Sequence, residues 1–530
     1  MPPRPSSRSK HPTRRRVLLS TGGVAVAAGI GWGANWLAAY SSHERSNVGE
    51  LSFRNRLRIP ELLDPPAAGD GGKRYQLKLA PGTSRFLPGR KTATWGANGP
   101  YLAPTLRVAN GDRMSVAVHN ALPEATTLHW HGMHLPPAMD GGPHQMIAAD
   151  ATWRPEWTVH QPAATLWYHP HPHGSTGTHV YRGVAGMIIV DDAVSARAGL
   201  PATYGVDDIP LILQDKNFHD DGSLDFTETT LSDDLAAVDS LGVLGDTILV
   251  NGTYDPHFEV TTQRLRLRLL NGSNARVYEL GFPDARTFHL VAVENGLLQR
   301  PRALTRLRLA PGERAEIVMA FEPGEKALLR SFKPDLKVGF PTSRFSGGDD
   351  TFDLLELRAA QNLKPSPELP TRIDGAPSAI TVPDRATTRK FKLVGTQING
   401  KPMDMNRVDE VVPAGTTEIW EIERGDGQVH AFHIHGATFN VLDVNGEEPP
   451  AYMRGPKDTA YLPGTGTIKL AVRFDTLTDE QRPYMYHCHV LRHEDKGMMG
   501  QFLVVAPGRE TKISKTITPD DAHGSSHHGT

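Results

Sequence analysis

Five His-x-His pairs constrain this chain more than any other feature: 129/131, 169/171, 171/173, 433/435 and 487/489. Random placement of 24 histidines in 530 positions would give about one. In an extended strand, residues i and i+2 share a face, with Cα atoms roughly 6–7 Å apart. Each pair on a strand can therefore give one imidazole to each of two neighbouring metal ions. The pairs lie in two regions far apart in the chain, so a fold that uses them together must make those regions converge.

The remaining sequence supplies strands for such a fold. "LRVANGDRMSVAVHNAL" alternates apolar and polar residues around an Asn-Gly turn and predicts a hairpin. The pattern returns in "FEVTTQRLRLRLLNGSN" and "GTIKLAVRF", with turn clusters such as "FPDAR" and "LAPGER" between. The strict Arg/Leu alternation of "QRLRLRLL" predicts one buried face and one solvated arginine face. No long helical period appears, so the class is all-β, built of sandwiches or barrels. The length suits about three or four domains. Residues 360–390, rich in proline and polar side chains, predict a linker. The expected domains span 46–200, 201–365 and 366–510, with 511–530 a disordered tail.

The N-terminus is read as an address. Arg14, Arg15 and Arg16 precede a weakly apolar run of small residues, and "TRRRVLL" resembles the twin-arginine export signal. Residues 1–45 are therefore expected to engage the twin-arginine export machinery. The destination is the periplasm or the outside, with a membrane anchor if the signal stays uncleaved. The formal net charge of −2 provides no basic field for nucleic acid. A single cysteine excludes an internal disulfide framework.

That cysteine, Cys488, stands between His487 and His489, and on a strand it faces the opposite side from both. A thiolate with two imidazoles and a weak axial thioether is the blue-copper arrangement. Cys488 and His493 supply the thiolate and one imidazole, Met498 the thioether, and His430 the second imidazole. Zinc competes for Cys and His, but a structural zinc would leave the other pairs unexplained. No C-x-x-C-H is present for c-type haem. On the other face, His129, His131, His169, His171, His433, His435, His487 and His489 suffice for a three-copper cluster at an interface between the first and last domains.

The motifs "HWHG" (129–132), "WYHPHPHG" (167–174), "HAFHIHG" (430–436) and "HCHVLRHEDKGMM" (487–499) resemble those of the multicopper oxidases, nearest to bacterial laccases and copper-resistance (cuprous) oxidases. The resemblance implies three cupredoxin-like Greek-key domains, the middle one without copper ligands, and four coppers per chain. It makes His430, Cys488 and His493 the type 1 ligands with Met498 axial. His129 and His433 become the type 2 ligands, and His131, His169, His171, His435, His487 and His489 hold the type 3 pair. His173 falls outside the pattern and reads as a supporting or structural residue. The resemblance also gives Asp140 and Glu494 proton-transfer roles beside the cluster.

Asp426 matches an acid of the cuprous oxidases' substrate-copper site, but Gln428 stands where a methionine is expected, and 330–395 contains none. Met403 and Met405 read as core residues. The expected activity is thus a laccase-like oxidation of phenols and aromatic amines coupled to reduction of dioxygen to water. A small-molecule or metal-ion donor would dock in a shallow surface site near His430 or His493. A cuprous or other metal-ion oxidase is the alternative. A copper nitrite reductase, a copper-sequestering protein and a copper-free cell-division scaffold are weaker rivals, since the full ligand set is present. The chain is expected to be a monomer.

Overall fold

A computed structural model describes residues 44–227 and 241–517. Among these residues, six β-sheets pair into three sandwiches, each around its own apolar core. The all-β class read from the sequence holds. In the first sandwich a four-stranded sheet containing Thr105–Ala109, Ala164–Tyr168 and Gly186–Asp191 faces a sheet built on Gly72–Ser84 and Arg113–Asn120. Six- and seven-stranded sheets form the middle sandwich, and two five-stranded sheets form the last. Between Lys364 and Thr388 the chain has no strand. No helix among the described residues is long and apolar enough to cross a membrane.

The chain enters on the middle sandwich, not the first. Asn55–Arg56 pairs in parallel with the start of Pro256–Thr262, and the Asn47 side chain bonds the Asp353 backbone. Arg45, inside the expected address, already belongs to this contact through its backbone bond to Asp350. Arg14–Arg16 lie outside the described residues.

Three expectations about elements are corrected. Thr105–Ala109 and Arg113–Asn120 are not a hairpin. The first pairs in parallel with Gly186–Asp191 and the second in parallel with Gly72–Ser84, in opposite sheets. Leu106 and Val108 meet Met114, Val116 and Val118 in one core, so the strands face each other across it. The Asn-Gly turn reverses the chain, with Gly111 at φ 95°, but hydrogen-bonding partners come from elsewhere. Pro256–Thr262 and Arg264–Asn271 are likewise split between the two middle sheets.

The arginine face of Arg264–Asn271 is not solvated. Arg266 and Arg268 are buried, because this side of the sheet packs on the first sandwich. The Arg268 guanidinium donates to both Asp208 carboxylate oxygens (2.7 and 2.9 Å), to Glu316 Oε1 (2.9 Å) and to Thr165 Oγ1 of the first sandwich (2.7 Å). Arg266 Nε donates to Glu316 Oε2 (2.9 Å). Alternation reports that two faces differ; it does not say that the polar one meets water.

The expected C-terminal tail is partly docked. Ile513 and Ile517 pack on Val408, Val411, Leu503 and Val505, and the Val408 and Ile517 amides bond to Lys515 and Asn406 carbonyls. Residues 518–530 lie outside the described residues.

Candidate metal centre

Strand register assembles the site. Ala431–Ile434 runs antiparallel to Tyr484–Cys488, with His433 opposite His487 and Phe432 opposite Cys488. Alternation then sends Phe432 and Cys488 into the core of the last sandwich, and His433 and His487 out of it. In the first sandwich, His129 and His169 exchange both backbone hydrogen bonds (2.8 and 3.1 Å). The two histidine faces meet where the first and last sandwiches adjoin, and all eight imidazoles are buried.

Three groups on this side bring their nitrogens within 4.8 Å of one another: His129, His131 and His433; His131, His169 and His489; His171, His435 and His487. In the last group, His487 Nε2 lies 3.1 Å from His171 Nε2 and 3.2 Å from His435 Nε2. Outward-facing nitrogens are tied down. His129 Nδ1–H donates to the Asp140 carbonyl (2.9 Å), His169 Nδ1–H to Pro170 (2.8 Å) and His433 Nδ1–H to Asp458 (2.8 Å). The Nε2 atoms of His129, His169 and His433 are buried with no hydrogen-bond partner. Burial, with neighbouring histidines adding to it, holds these imidazoles well below the usual range; His171 falls to about 4 and His489 to about 3. They are neutral at pH 7, which is the ligating form. Converging lone pairs with opposite nitrogens anchored are what a set of metal ligands requires.

The two carboxylates expected beside the cluster are there. Asp140 Oδ2 accepts from His435 Nδ1 (2.7 Å). Glu494 places its oxygens 3.1 Å from His487 Nδ1 and 3.4 Å from His171 Nδ1. Burial pushes the Asp140 carboxyl well above its ordinary value.

On the other face, Cys488 Sγ lies 3.5 Å from His430 Nδ1 and 3.6 Å from His493 Nδ1. Successive residues of a helix project about 100° apart. The short helix Leu491–Asp495 thus aims His493 at Cys488 and Glu494 at the histidine cluster. Met498 shares the core of Cys488, and the Cys488 amide bonds its carbonyl (3.1 Å). This donor set fits copper: a soft thiolate and two imidazoles on one side, and eight imidazoles without a cysteine on the other.

Both His430 and His493 are buried, so the expected surface site does not expose either ring. Asp426 makes the connection outward. Its carboxylate accepts from His430 Nε2 (3.0 Å) and its side chain is 15% exposed. Burial opposes the charge on His430, but hydrogen bonds to Asp426 and Cys488 outweigh it and raise the imidazole to about 9. Met403 and Met405 are half-buried rather than core residues, and the Met403 amide bonds the Gly497 carbonyl beside Met498 (2.8 Å). His173 is exposed and outside the clusters.

Sequence reasoning missed three residues at the cluster. Asp458 and Thr459 contact His131 and His433, and Arg314 of the middle sandwich holds Asp458. The sequence offers only the charged pair of "PKDTAY" ahead of a strand as a signal.

Comparisons with known proteins agree with this geometry. Two multicopper oxidase family models match residues 78–195 and 374–508. The multicopper oxidase mco of Staphylococcus aureus is 36% identical over 466 residues, 86% of this chain and 94% of its own length. The cell division protein FtsP of Yersinia pestis is also 36% identical, over 93% of this chain and 98% of its own. A laccase-like multi-copper oxidase from the lignin-degrading bacterium Ochrobactrum sp., with oxidase activity towards lignin model compounds and lignosulfonate, superposes with a TM-score of 0.74 at 36% identity. That match covers 85% of this chain and 100% of the Ochrobactrum chain. The three sandwiches are cupredoxin-like.

Proposed function

The chain belongs to the multicopper oxidase family, and from that premise we propose that it is a laccase-like oxidase. It would couple one-electron oxidation of phenols and aromatic amines to reduction of dioxygen to water. The observation that carries the proposal is the backbone link between two groups of converging candidate ligands. Cys488, facing His430 and His493, is flanked in sequence by His487 and His489 of the buried cluster.

In this reading His430, Cys488 and His493, with Met498 in the core beside them, would hold a type 1 copper. His129 and His433 would hold a type 2 copper, and His131, His169, His171, His435, His487 and His489 a type 3 pair. Bound copper supplies electron acceptance at the thiolate and dioxygen reduction at the histidine cluster. The protein supplies the rest. Asp426 orients His430 and, itself partly exposed, links that buried ring to the surface. The peptide bonds flanking Cys488 give a short covalent route to both neighbouring histidines. Asp140, whose carboxyl burial pushes well above its ordinary value, meets His435 and is placed to take up or release a proton there. Glu494 presents its carboxylate to His171 and His487 for a second proton path. Export by the twin-arginine route, carried by Arg14–Arg16, completes the proposal.

Phenolic donors are favoured by the missing methionine at Gln428, by the methionine-free stretch 330–395, and by the lignin-model activity of the Ochrobactrum relative. Met403, half-buried beside the Met498 loop, favours a cuprous oxidase as the second reading. The FtsP relatives favour a scaffold role, against which the intact ligand set speaks. Steady-state oxygen consumption with dimethoxyphenol, Cu(I) and Fe(II) distinguishes these readings. The phenol is expected to have the highest kcat/KM. A strong preference for Cu(I) would replace the laccase reading, and no turnover with any donor would sink the oxidase reading.

A further inference from the structure

We propose that Arg314, from the middle sandwich that supplies none of the side chains grouped as ligands, is a positioning residue. Through Asp458 it fixes which nitrogen His131 turns toward the histidine cluster. The inference rests on the reading of that cluster as a copper site.

His131 is inverted relative to its neighbours. His129, His169 and His433 donate outward through Nδ1, and His171, His435 and His487 turn Nδ1 toward Glu494 or Asp140. In His131 it is Nε2–H that donates outward, to Asp458 Oδ1 at 3.0 Å, with Thr459 Oγ1 at 3.1 Å. Its Nδ1 is buried with no hydrogen-bond partner and is left as the atom available to the group formed with His169 and His489. A neutral imidazole carries one N–H. An acceptor fixed at Nε2 therefore selects the tautomer whose lone pair sits on Nδ1.

The acceptor is fixed from another domain. Asp458 has no solvent exposure, and Arg314 clamps it through both ends of the guanidinium, Nη1 to Oδ1 at 2.7 Å and Nη2 to Oδ2 at 2.6 Å. Arg314 is itself fully buried. Its Nε donates to the Thr165 carbonyl of the first sandwich (3.1 Å) and its Nη1 to the Gly312 carbonyl (3.1 Å). One guanidinium thus ties together all three sandwiches. Lys457, the adjacent cation, is committed to Glu294 (2.6 Å) and Glu313 (3.1 Å), so it is not available to replace Arg314.

Two glycines mark how closely these groups fit. A Cβ on Gly132, the residue after His131, would lie 2.6 Å from both Arg314 Nη2 and Asp458 Oδ2. A Cβ on Gly312 would lie 2.8 Å from the His489 ring. Both have positive φ, 86° and 82°, which only glycine adopts without strain. The middle sandwich therefore reaches two imidazoles of one group, His131 through Asp458 and His489 directly. Without the guanidinium, Asp458 would keep the Thr459 hydroxyl (2.8 Å) but lose both prongs of its clamp, and a change of its rotamer would release Nε2.

The test uses full-length, copper-loaded protein and the variants Arg314→Met and Arg314→Lys. Copper content and chelator competition report the affinity of the histidine cluster, and electron paramagnetic resonance reports its geometry. The Cys488 thiolate band serves as an internal reference for folding and for the separate copper. Arg314→Met is expected to keep the thiolate band while the cluster's copper affinity falls about 10- to 100-fold, the range for loss of a residue supporting a ligand. Arg314→Lys retains a cation without the two-pronged geometry, and is expected to fold and to show a shifted cluster spectrum with partly restored affinity. If Arg314→Met does not fold, Arg314→Lys carries the test. A cluster spectrum and affinity equal to wild type in whichever variant folds would overturn the proposal. Failure of the wild-type cluster to take up copper would instead overturn the copper reading on which it rests.

Discussion

At the residue scale, Cys488 has two neighbours in space and two in sequence, and strand alternation keeps them apart. Its sulfur meets His430 and His493, while the adjoining His487 and His489 face the other centre. Exchange of Sγ for Oγ removes the soft donor with little change in volume. Cys488→Ser is therefore expected to abolish the intense thiolate-to-copper band and donor-driven oxygen uptake while leaving far-ultraviolet circular dichroism unchanged. Retention of the visible band would refute the assignment of Cys488. These roles were legible in the sequence because the period of a strand is local. The orientation of His131 was not, because its partner Asp458 lies 327 positions away.

Strands show the same boundary at the scale of elements. Alternation located "RLRLRLL" as a strand and named its two faces, but the arginine face is an interface. Arg268 is the only side chain there that donates to Asp208, Glu316 and Thr165 together. Arg268→Met should leave two buried carboxylates short of a cation and destabilise the protein by about 3–5 kcal/mol, the usual cost of removing one member of a buried pair. Urea unfolding followed by circular dichroism measures this, and a loss below about 1 kcal/mol would mean that the pair is exposed in solution. The Asn-Gly segment teaches a related lesson. Its turn was legible, but the sheet that each flanking strand joins depends on parallel partners distant in sequence, Gly186–Asp191 for one and Gly72–Ser84 for the other.

For the whole molecule, stability depends on contacts between sandwiches as well as on their three cores. Glu316 joins the middle sandwich to the first through Arg268 and Thr165. Burial would raise its carboxyl, but Arg266 and Arg268 outweigh that and hold it at about 2. A carboxylate depressed in the folded state stabilises fully above its unfolded value of about 4.5, and that stability is lost as pH falls toward about 2. The size is about 3 kcal/mol at neutral pH. The melting temperature should therefore fall through this acid window, and Glu316→Gln should flatten the fall. An unchanged acid profile in that variant would show that other carboxylates dominate. By itself the sequence determined the all-β class, and it named the two sets of candidate ligand side chains that the structure brings together on either side of Cys488, because strand periodicity and donor chemistry are local properties. Only the tertiary structure decided that the arginine face is buried, that His430 reaches solvent through Asp426, and that the middle sandwich touches the histidine cluster. Each of these depends on which distant surface fills the space beside a side chain, and that is settled when the sandwiches pack.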